Sequence, residues 1–208
     1  MGTLNEARAK LARKARQLNV RNGRGRGLPA IVLMTDDARD VDWAEAAKAL
    51  PAGSAVVVRH RDAGQREELA WRLRAVCAPR RIKLLVADDA ALAQRVRADG
   101  VHLPQRKMSK IGAMRARNRQ WLVTTSAHGA ASVSMALRLG ADAVLVAPVF
   151  ETASHVGRSA LGVLRLSALI ERSGLAAYAL GGVDASSVQR LMALPLSGIA
   201  LIGGWAKL

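Results

Sequence analysis

Short, almost unbroken apolar runs recur along this chain, and longer stretches with apolar residues three or four apart separate them. The runs are Ala30–Met34, Ala55–Val58, Ile82–Val86, Gly100–Leu103, Trp121–Thr125, Ala143–Ala147, Ala177–Leu180 and Ile199–Ile202. Each is four or five residues long and most are rich in Val, Ile or Leu, the pattern of parallel strands buried on both faces. Helical spacing covers Trp43–Leu50, Gln65–Ala78, Ala90–Ala98, Ser109–Arg117, Ala130–Leu139, Leu164–Arg172 and Ala185–Leu194. Asp184 and Ser109 suit N-caps, as does Asp89 before Ala90, and Gly140 and Gly174 suit helix stops.

Eight strand runs with seven intervening helical stretches predict an α/β fold, a (β/α)8 TIM barrel. The sequence ends at Leu208, before an eighth helix. Leu4–Leu18 supplies a further helical pattern ahead of the first strand, with Leu4, Ala7, Leu11, Ala12, Ala15 and Leu18 on one face. It is expected to pack across the first and last strands in place of the missing helix. The expected organisation is a basic helix and linker over residues 1–27, then a single barrel domain over 28–208.

Composition narrows the function classes. Half of the 208 residues are apolar, enough for a full core. No apolar run is long enough to span a membrane, and no charged-then-apolar signal opens the chain, so a cytoplasmic protein is expected. Cys77, the lone cysteine, excludes an internal disulfide and reads as a small core residue. The net charge of +16 favours anionic partners. Aromatics are only 3%, too few for base-stacking platforms, and arginines are spread along the whole chain, which argues against nucleic acid. Trp43, Trp71 and Trp121 read as packing residues, and Trp205 as a cover beside the last strand.

Candidate chemistry gathers after the last strands. Gly181-Gly182 and Gly203-Gly204 end two consecutive runs, where a glycine pair lets backbone N–H groups approach a phosphate. A barrel places such corners side by side at its C-terminal face. His102 lies inside a run and reads as a satisfied core or rim histidine. His60 alternates away from Arg59 and Arg61, towards the helix layer.

Several motifs, in this order, resemble the family of thiamine-phosphate synthase and its relative, thiazole tautomerase. They are Met34-Thr35-Asp36, Ala98-Asp99-Gly100-Val101-His102-Leu103, Thr125-Ser126-Ala127-His128, Gly140-Ala141-Asp142-Ala143, Pro148-Val149-Phe150-Glu151-Thr152 and the two glycine pairs. The resemblance covers about residues 28 to 204. It implies a small phosphorylated substrate, thiazole phosphate, held by Thr152, Ser154, Gly181, Gly182, Ile202, Gly203 and Gly204. It further implies joining of hydroxymethylpyrimidine pyrophosphate to that phosphate, with release of pyrophosphate. Arg59, Arg61 and Lys107 would hold the pyrophosphate, Ser126 would stand where the family has a serine, and Mg²⁺ would sit on Asp88.

The pyrimidine and metal half departs from the family pattern. Val57 replaces a glutamine, Ala87 an asparagine and His155 a lysine, and Lys107 stands where a second metal carboxylate is expected. One carboxylate beside a lysine makes a poor Mg²⁺ site. Two alternatives follow: a tautomerase-like isomerase using His128, and a non-catalytic sensor of phosphorylated ligands. Homo-oligomerisation is left open.

Overall fold

A computed structural model of the chain describes residues 2–22, 27–151 and 160–206. Among these, eight parallel strands close into a barrel: β1 (Ile31–Met34), β2 (Ala55–Val58), β3 (Lys83–Ala87), β4 (Gly100–Leu103), β5 (Leu122–Ala127), β6 (Ala143–Val146), β7 (Ala176–Ala179) and β8 (Gly198–Leu201). Each strand pairs with the next, and β8 returns to β1 with Ile31 opposite Ile199 and Leu33 opposite Leu201. Alternate side chains serve two cores, which explains why the runs are apolar throughout. Val32, Met34, Val57, Leu85, Leu145 and Tyr178 fill the barrel. Ile31, Leu33, Val56, Val58, Leu84 and Val86 face the helices.

The helices are α1 (Gly2–Arg21), α2 (Trp43–Lys48), α3 (Ala63–Cys77), α4 (Ala90–Arg95), α5 (Ile111–Arg117), α6 (Ala130–Arg138), α7 (Gly162–Ser173) and the single turn α8 (Gly203–Ala206). Side chains of Asp42, Asp62 and Asp89 accept first-turn N–H groups of α2, α3 and α4. Gly140 and Gly174 take left-handed conformations behind α6 and α7, as expected of helix stops. Two aspartates act at the opposite end of the barrel from its C-terminal face. Asp99, just before β4, accepts the Leu84 N–H at 2.8 Å, and Asp142, just before β6, accepts the Val123 N–H at 2.7 Å. These members of the Asp-Gly and Asp-Ala motifs are therefore structural, each tying a strand entry to its neighbour.

The helix α1 crosses the seam between β1 and β8. Leu11, Ala15 and Leu18 are fully buried there. The Arg8 Nε donates to Trp205 O at 3.0 Å beyond the exit of β8, and Asn19 Nδ2 donates to Ser197 O at 2.7 Å at its entry. The helix thus runs antiparallel to β8 along its whole length, where a helix following β8 would pack. Trp205 is buried and its indole N–H reaches Ala46 O of α2 at 3.0 Å, so it does cover the barrel beside the last strand.

Some local expectations fail for physical reasons. Ala185–Leu194 is not an α-helix; only Val188–Leu191 is helical, and that turn is 3-10. Just beyond that turn, Arg21 at the end of α1 donates to Met192 O at 3.1 Å and the next residue, Asn22, to Pro195 O. Asp184 still receives the Ser186 and Ser187 N–H groups, both at 2.8 Å, as an N-cap would. Ser109 is not a cap, because it lies inside a 3-10 stretch, Gln105–Lys110, that leads directly into α5. Trp71 is 49% exposed on α3 and does not pack in the core, unlike Trp43 and Trp121. Cys77 is buried, and loss of hydration raises its thiol to about 12, so it is an inert core residue. No helix among the described residues is long and apolar enough to cross a membrane.

If α1 belongs to the core, Leu11→Ala should lower the unfolding free energy by about 2–5 kcal/mol in urea titrations. Val20→Ala on the exposed face of the same helix should stay within about 0.5 kcal/mol of the parent. Equal, small effects at both positions would show that α1 is peripheral.

Candidate functional site

The C-terminal ends of the strands open into a cleft of about 1380 Å³. Its floor is made by inward side chains at the strand ends, among them Met34, Ala87, His102, Leu180 and Ala200. Loops after β1, β2, β3, β4, β5, β7 and β8 build its walls, so residues far apart in sequence meet there.

On one side stand the two glycine corners. Gly181, Gly182, Gly203 and Gly204 all line the cleft. The corners touch: a side chain on Gly204 would meet Val183 O at 2.5 Å. Gly181 and Gly182 have φ of 91° and 64°, and side chains there would meet Pro148 Cα at 2.9 Å and Glu151 O at 2.6 Å. Both the left-handed backbone and the close approach demand glycine. Among the described residues the N–H groups of Gly181 and Gly182 have no protein acceptor. Those of Gly203 and Gly204 open α8, where first-turn N–H groups lack helical partners. The corner is braced from behind by Ser187 Oγ, which donates to Gly182 O at 2.9 Å, and by the Arg190 guanidinium, 4.7 Å from the centre of the Phe150 ring. Burial raises the Asp184 carboxyl, but hydrogen bonds from Ser186 and Ser187 outweigh it and hold the group below the usual range.

The opposite side is a rim of cations held by carboxylates. Arg59 donates its backbone N–H to Thr35 Oγ1 at 2.9 Å, and its guanidinium lies 3.4 Å from Asp36. Asp37 accepts the Arg61 N–H at 3.0 Å, which is the main reason its carboxyl sits below the normal value. The Arg61 side chain itself is 87% exposed. Arg66 bridges His60 O at 3.0 Å and Asp89 at 3.1 Å, tying the loops after β2 and β3 together. Arg39 reaches across to the glycine side: a side chain on Gly203 would meet its guanidinium at 2.7 Å.

Asp88 has a left-handed backbone, φ 58°, secured by its N–H to His102 O at 2.9 Å. Its carboxylate is engaged by the Lys107 ammonium. These residues do not fit Mg²⁺. Among the described residues no group of three or more His, Cys, Asp or Glu could hold a metal. At an effective dielectric near 20, two unit charges 4 Å apart repel by about 4 kcal/mol, and a divalent ion beside the ammonium would feel roughly twice that. Lysine and metal therefore compete for the same carboxylate oxygens.

Among the described residues, three histidines line the cleft. His102 is buried in the barrel mouth, with Nδ1 2.9 Å from Thr124 Oγ1 and Nε2 2.9 Å from Ser126 Oγ. The Thr124 hydroxyl donates onward to Val101 O at 3.5 Å, so it accepts from Nδ1–H, and Ser126 donates to Nε2. Burial, with a smaller contribution from Arg59, lowers His102 to about 3. It is too weak a base to activate Ser126 as a nucleophile at neutral pH. Ser126 lines the cleft beside it. His128 Nδ1 donates to Ala147 O at 2.6 Å, because a carbonyl only accepts, and its neutral form therefore carries the free lone pair on Nε2. His60, expected to face the helices, lines the cleft instead, because the chain leaves the strand pleat after Val58. Both its ring nitrogens are shielded without a hydrogen-bond partner, and burial lowers its pKa.

The cleft thus gathers Arg59, Arg61, Asp88, Ser126, His128, Gly181, Gly182, Ile202, Gly203 and Gly204, with Lys107 reaching in through Asp88. Thr152, Ser154 and His155 lie outside the described residues. Val57 and Ala87 are buried among the barrel's interior side chains. Arg39, Arg66 and His60 complete the walls, and nothing in the periodicity pointed to them as ligand-facing.

The sequence model of the family described as thiamine monophosphate synthase matches residues 30–204. A thiamine-phosphate synthase from Nostoc sp. is 32% identical over 137 residues, 66% of this chain and 39% of that protein. A putative thiamine-phosphate synthase 2 from Aquifex aeolicus is 34% identical over 130 residues, 62% of this chain and 69% of the relative. One from Chlorobium phaeobacteroides is 28% identical over 183 residues, 86% and 89% of the two chains. The chain spans well under half the length of the Nostoc relative. Among solved structures, a thiamine phosphate pyrophosphorylase from Pyrococcus furiosus has the same barrel, with a TM-score of 0.73 at 23% identity over 89% of this chain and 88% of that one.

The burial of neutral His102 has a measurable cost. An unfolded histidine titrates near 6.5, so stability from this residue is full above that pH and falls as pH drops towards 3. Between about pH 6 and 4 the unfolding free energy should fall by roughly 1.4 kcal/mol per pH unit from this residue. Urea titrations across that range should show a slope smaller by about that amount in His102→Gln; identical slopes would mean the imidazole is not held neutral.

Proposed function

Because the chain belongs to the thiamine monophosphate synthase family, we propose that its cleft binds thiazole phosphate at the glycine corners and transfers a pyrimidine-methyl group to it from a pyrophosphate ester. The observation that carries this reading is the contact between the two corners at one wall of the cleft, where the Gly181 and Gly182 N–H groups have no acceptor among the described residues. Such a cradle suits a phosphate dianion. The ring of the same ligand would then extend over the barrel mouth towards Ser126 and His128.

In the transfer, the thiazole nitrogen forms a bond to the pyrimidine methylene carbon while the carbon–oxygen bond to pyrophosphate breaks. The electron pair leaves with pyrophosphate, and no proton need move. Arg59, Arg61 and Lys107 stand across the cleft from the glycine corners and offset the negative charge that grows on the leaving group. Positioning and electrostatics of this kind need no covalent intermediate with the protein.

His128 supports a second reading, a tautomerase-like isomerase. Its fixed tautomer presents Nε2 as a proton acceptor at the cleft wall, which suits moving a proton on a thiazole carboxylate.

Calorimetry with thiazole phosphate should give saturable binding. Gly203→Asp, whose new carboxylate would fall beside Arg39, should weaken it at least about tenfold, or roughly 1.4 kcal/mol, while the melting temperature is retained. No binding by the parent protein would refute the proposal. Mixing both substrates and assaying pyrophosphate separates the chemistries. Under the transferase reading His128→Ala leaves pyrophosphate release largely intact; under the isomerase reading no pyrophosphate appears, and isomerisation falls about 10²-fold in that variant. A protein that binds thiazole phosphate and turns over neither substrate would be a sensor.

A further inference from the structure

We infer that the Lys107 ammonium, held on Asp88, takes the place of a divalent cation, so that the cleft binds pyrophosphate-type anions without metal. The inference rests on the reading of the cation rim as a pyrophosphate site, and it concerns what neutralises the anion there.

Asp88 is built to hold a cation at one point. Its left-handed backbone is fixed by the hydrogen bond to His102 O, and its side chain is only 25% exposed. The cation it holds is Lys107, itself 35% exposed, reaching in from the 3-10 stretch after β4. An ammonium has three N–H donors. One is spent on Asp88, and the others remain for oxygens of an incoming anion.

The surroundings favour an anion over a metal. Other carboxylates around the rim are already paired with arginines: Asp36 with Arg39 and Arg59, Asp37 with Arg61, and Asp89 with Arg66. Asp89 also caps α4 through Leu92 N–H. Recruiting them to a metal would break these pairs. Arg59 keeps 45% of its side chain exposed at the rim, and Arg106, from the stretch after β4, also lines the cleft. Point charge from lysine and planar donors from arginine suit phosphate oxygens. A lysine cannot bridge two oxygens with a metal's geometry, so each phosphate oxygen is met by a separate side chain.

The test is calorimetry with inorganic pyrophosphate, with the protein in EDTA. The parent should bind under these conditions, and Lys107→Ala should weaken binding at least tenfold with an unchanged melting temperature. Lys107→Asp, which pairs a second carboxylate with Asp88, should lose binding in EDTA and regain it when Mg²⁺ is added. Parent binding that appears only with Mg²⁺, absent binding in both media, or an unchanged Kd in Lys107→Ala would each overturn the inference. Thiazole phosphate titrated into the same parent sample reports on the glycine corners alone. Its failure beside metal-free pyrophosphate binding would strike the proposed substrate and leave this inference standing.

Discussion

Closure of the sheet between β8 and β1 is the constraint on which every other feature of the molecule depends. The pairing of Ile31 with Ile199 and of Leu33 with Leu201 makes a ring of strands that would otherwise have two open edges. Helix α1 covers that seam with Leu11, Ala15 and Leu18, so the apolar outer faces of the first and last strands are buried. Because the ring closes there, the loop after β1 stands beside the loop after β8, and Arg39 can lie against Gly203. The same closure sets the β7 and β8 corners against each other through Val183 and Gly204.

The cleft mouth divides by the kind of donor it offers. One wall presents backbone N–H groups from glycine corners, shaped by left-handed conformations and close contact with the loop after β6. The other presents long cationic side chains, most of them anchored by a carboxylate or a carbonyl. Between them the floor is apolar apart from His102 and Ser126, and the buried imidazole is satisfied by hydrogen bonds with Ser126 and Thr124. An anion at each wall and an uncharged ring over the floor would match this distribution. The overall charge of +16 says little about this arrangement, because many arginines elsewhere sit in structural pairs such as Arg74 with Asp99 and Arg115 with Asp142.

The pattern of apolar runs was enough to locate all eight strands within two residues, because a strand buried on both faces leaves an unmistakable composition. It was also enough to place α1 over the seam, since its apolar face had no other strands left uncovered. The glycine corners were visible for a similar reason: two paired glycines at strand ends serve a backbone need that few other residues meet. Where local chemistry competed with tertiary contacts, the pattern misled. Ala185–Leu194 carries helical spacing, yet only a 3-10 turn forms there, and the carbonyls just after it, Met192 O and Pro195 O, are held by Arg21 and Asn22 from a distant part of the chain. Trp71 looks like a core residue and is half exposed, because spacing cannot report how much of a wide ring a helix face will cover.

Sequence alone thus determined the barrel, the order of its parts and the position of its glycine corners, since these follow from periodicity and from what glycine uniquely permits. Tertiary structure decided which charges find each other. That Lys107 would reach Asp88, that Arg39 would cross to Gly203 and that His60 would turn into the cleft depend on loops from different strands meeting at one rim. Electrostatic pairing falls off over a few ångströms, and no spacing along the chain encodes a distance across the mouth of a barrel.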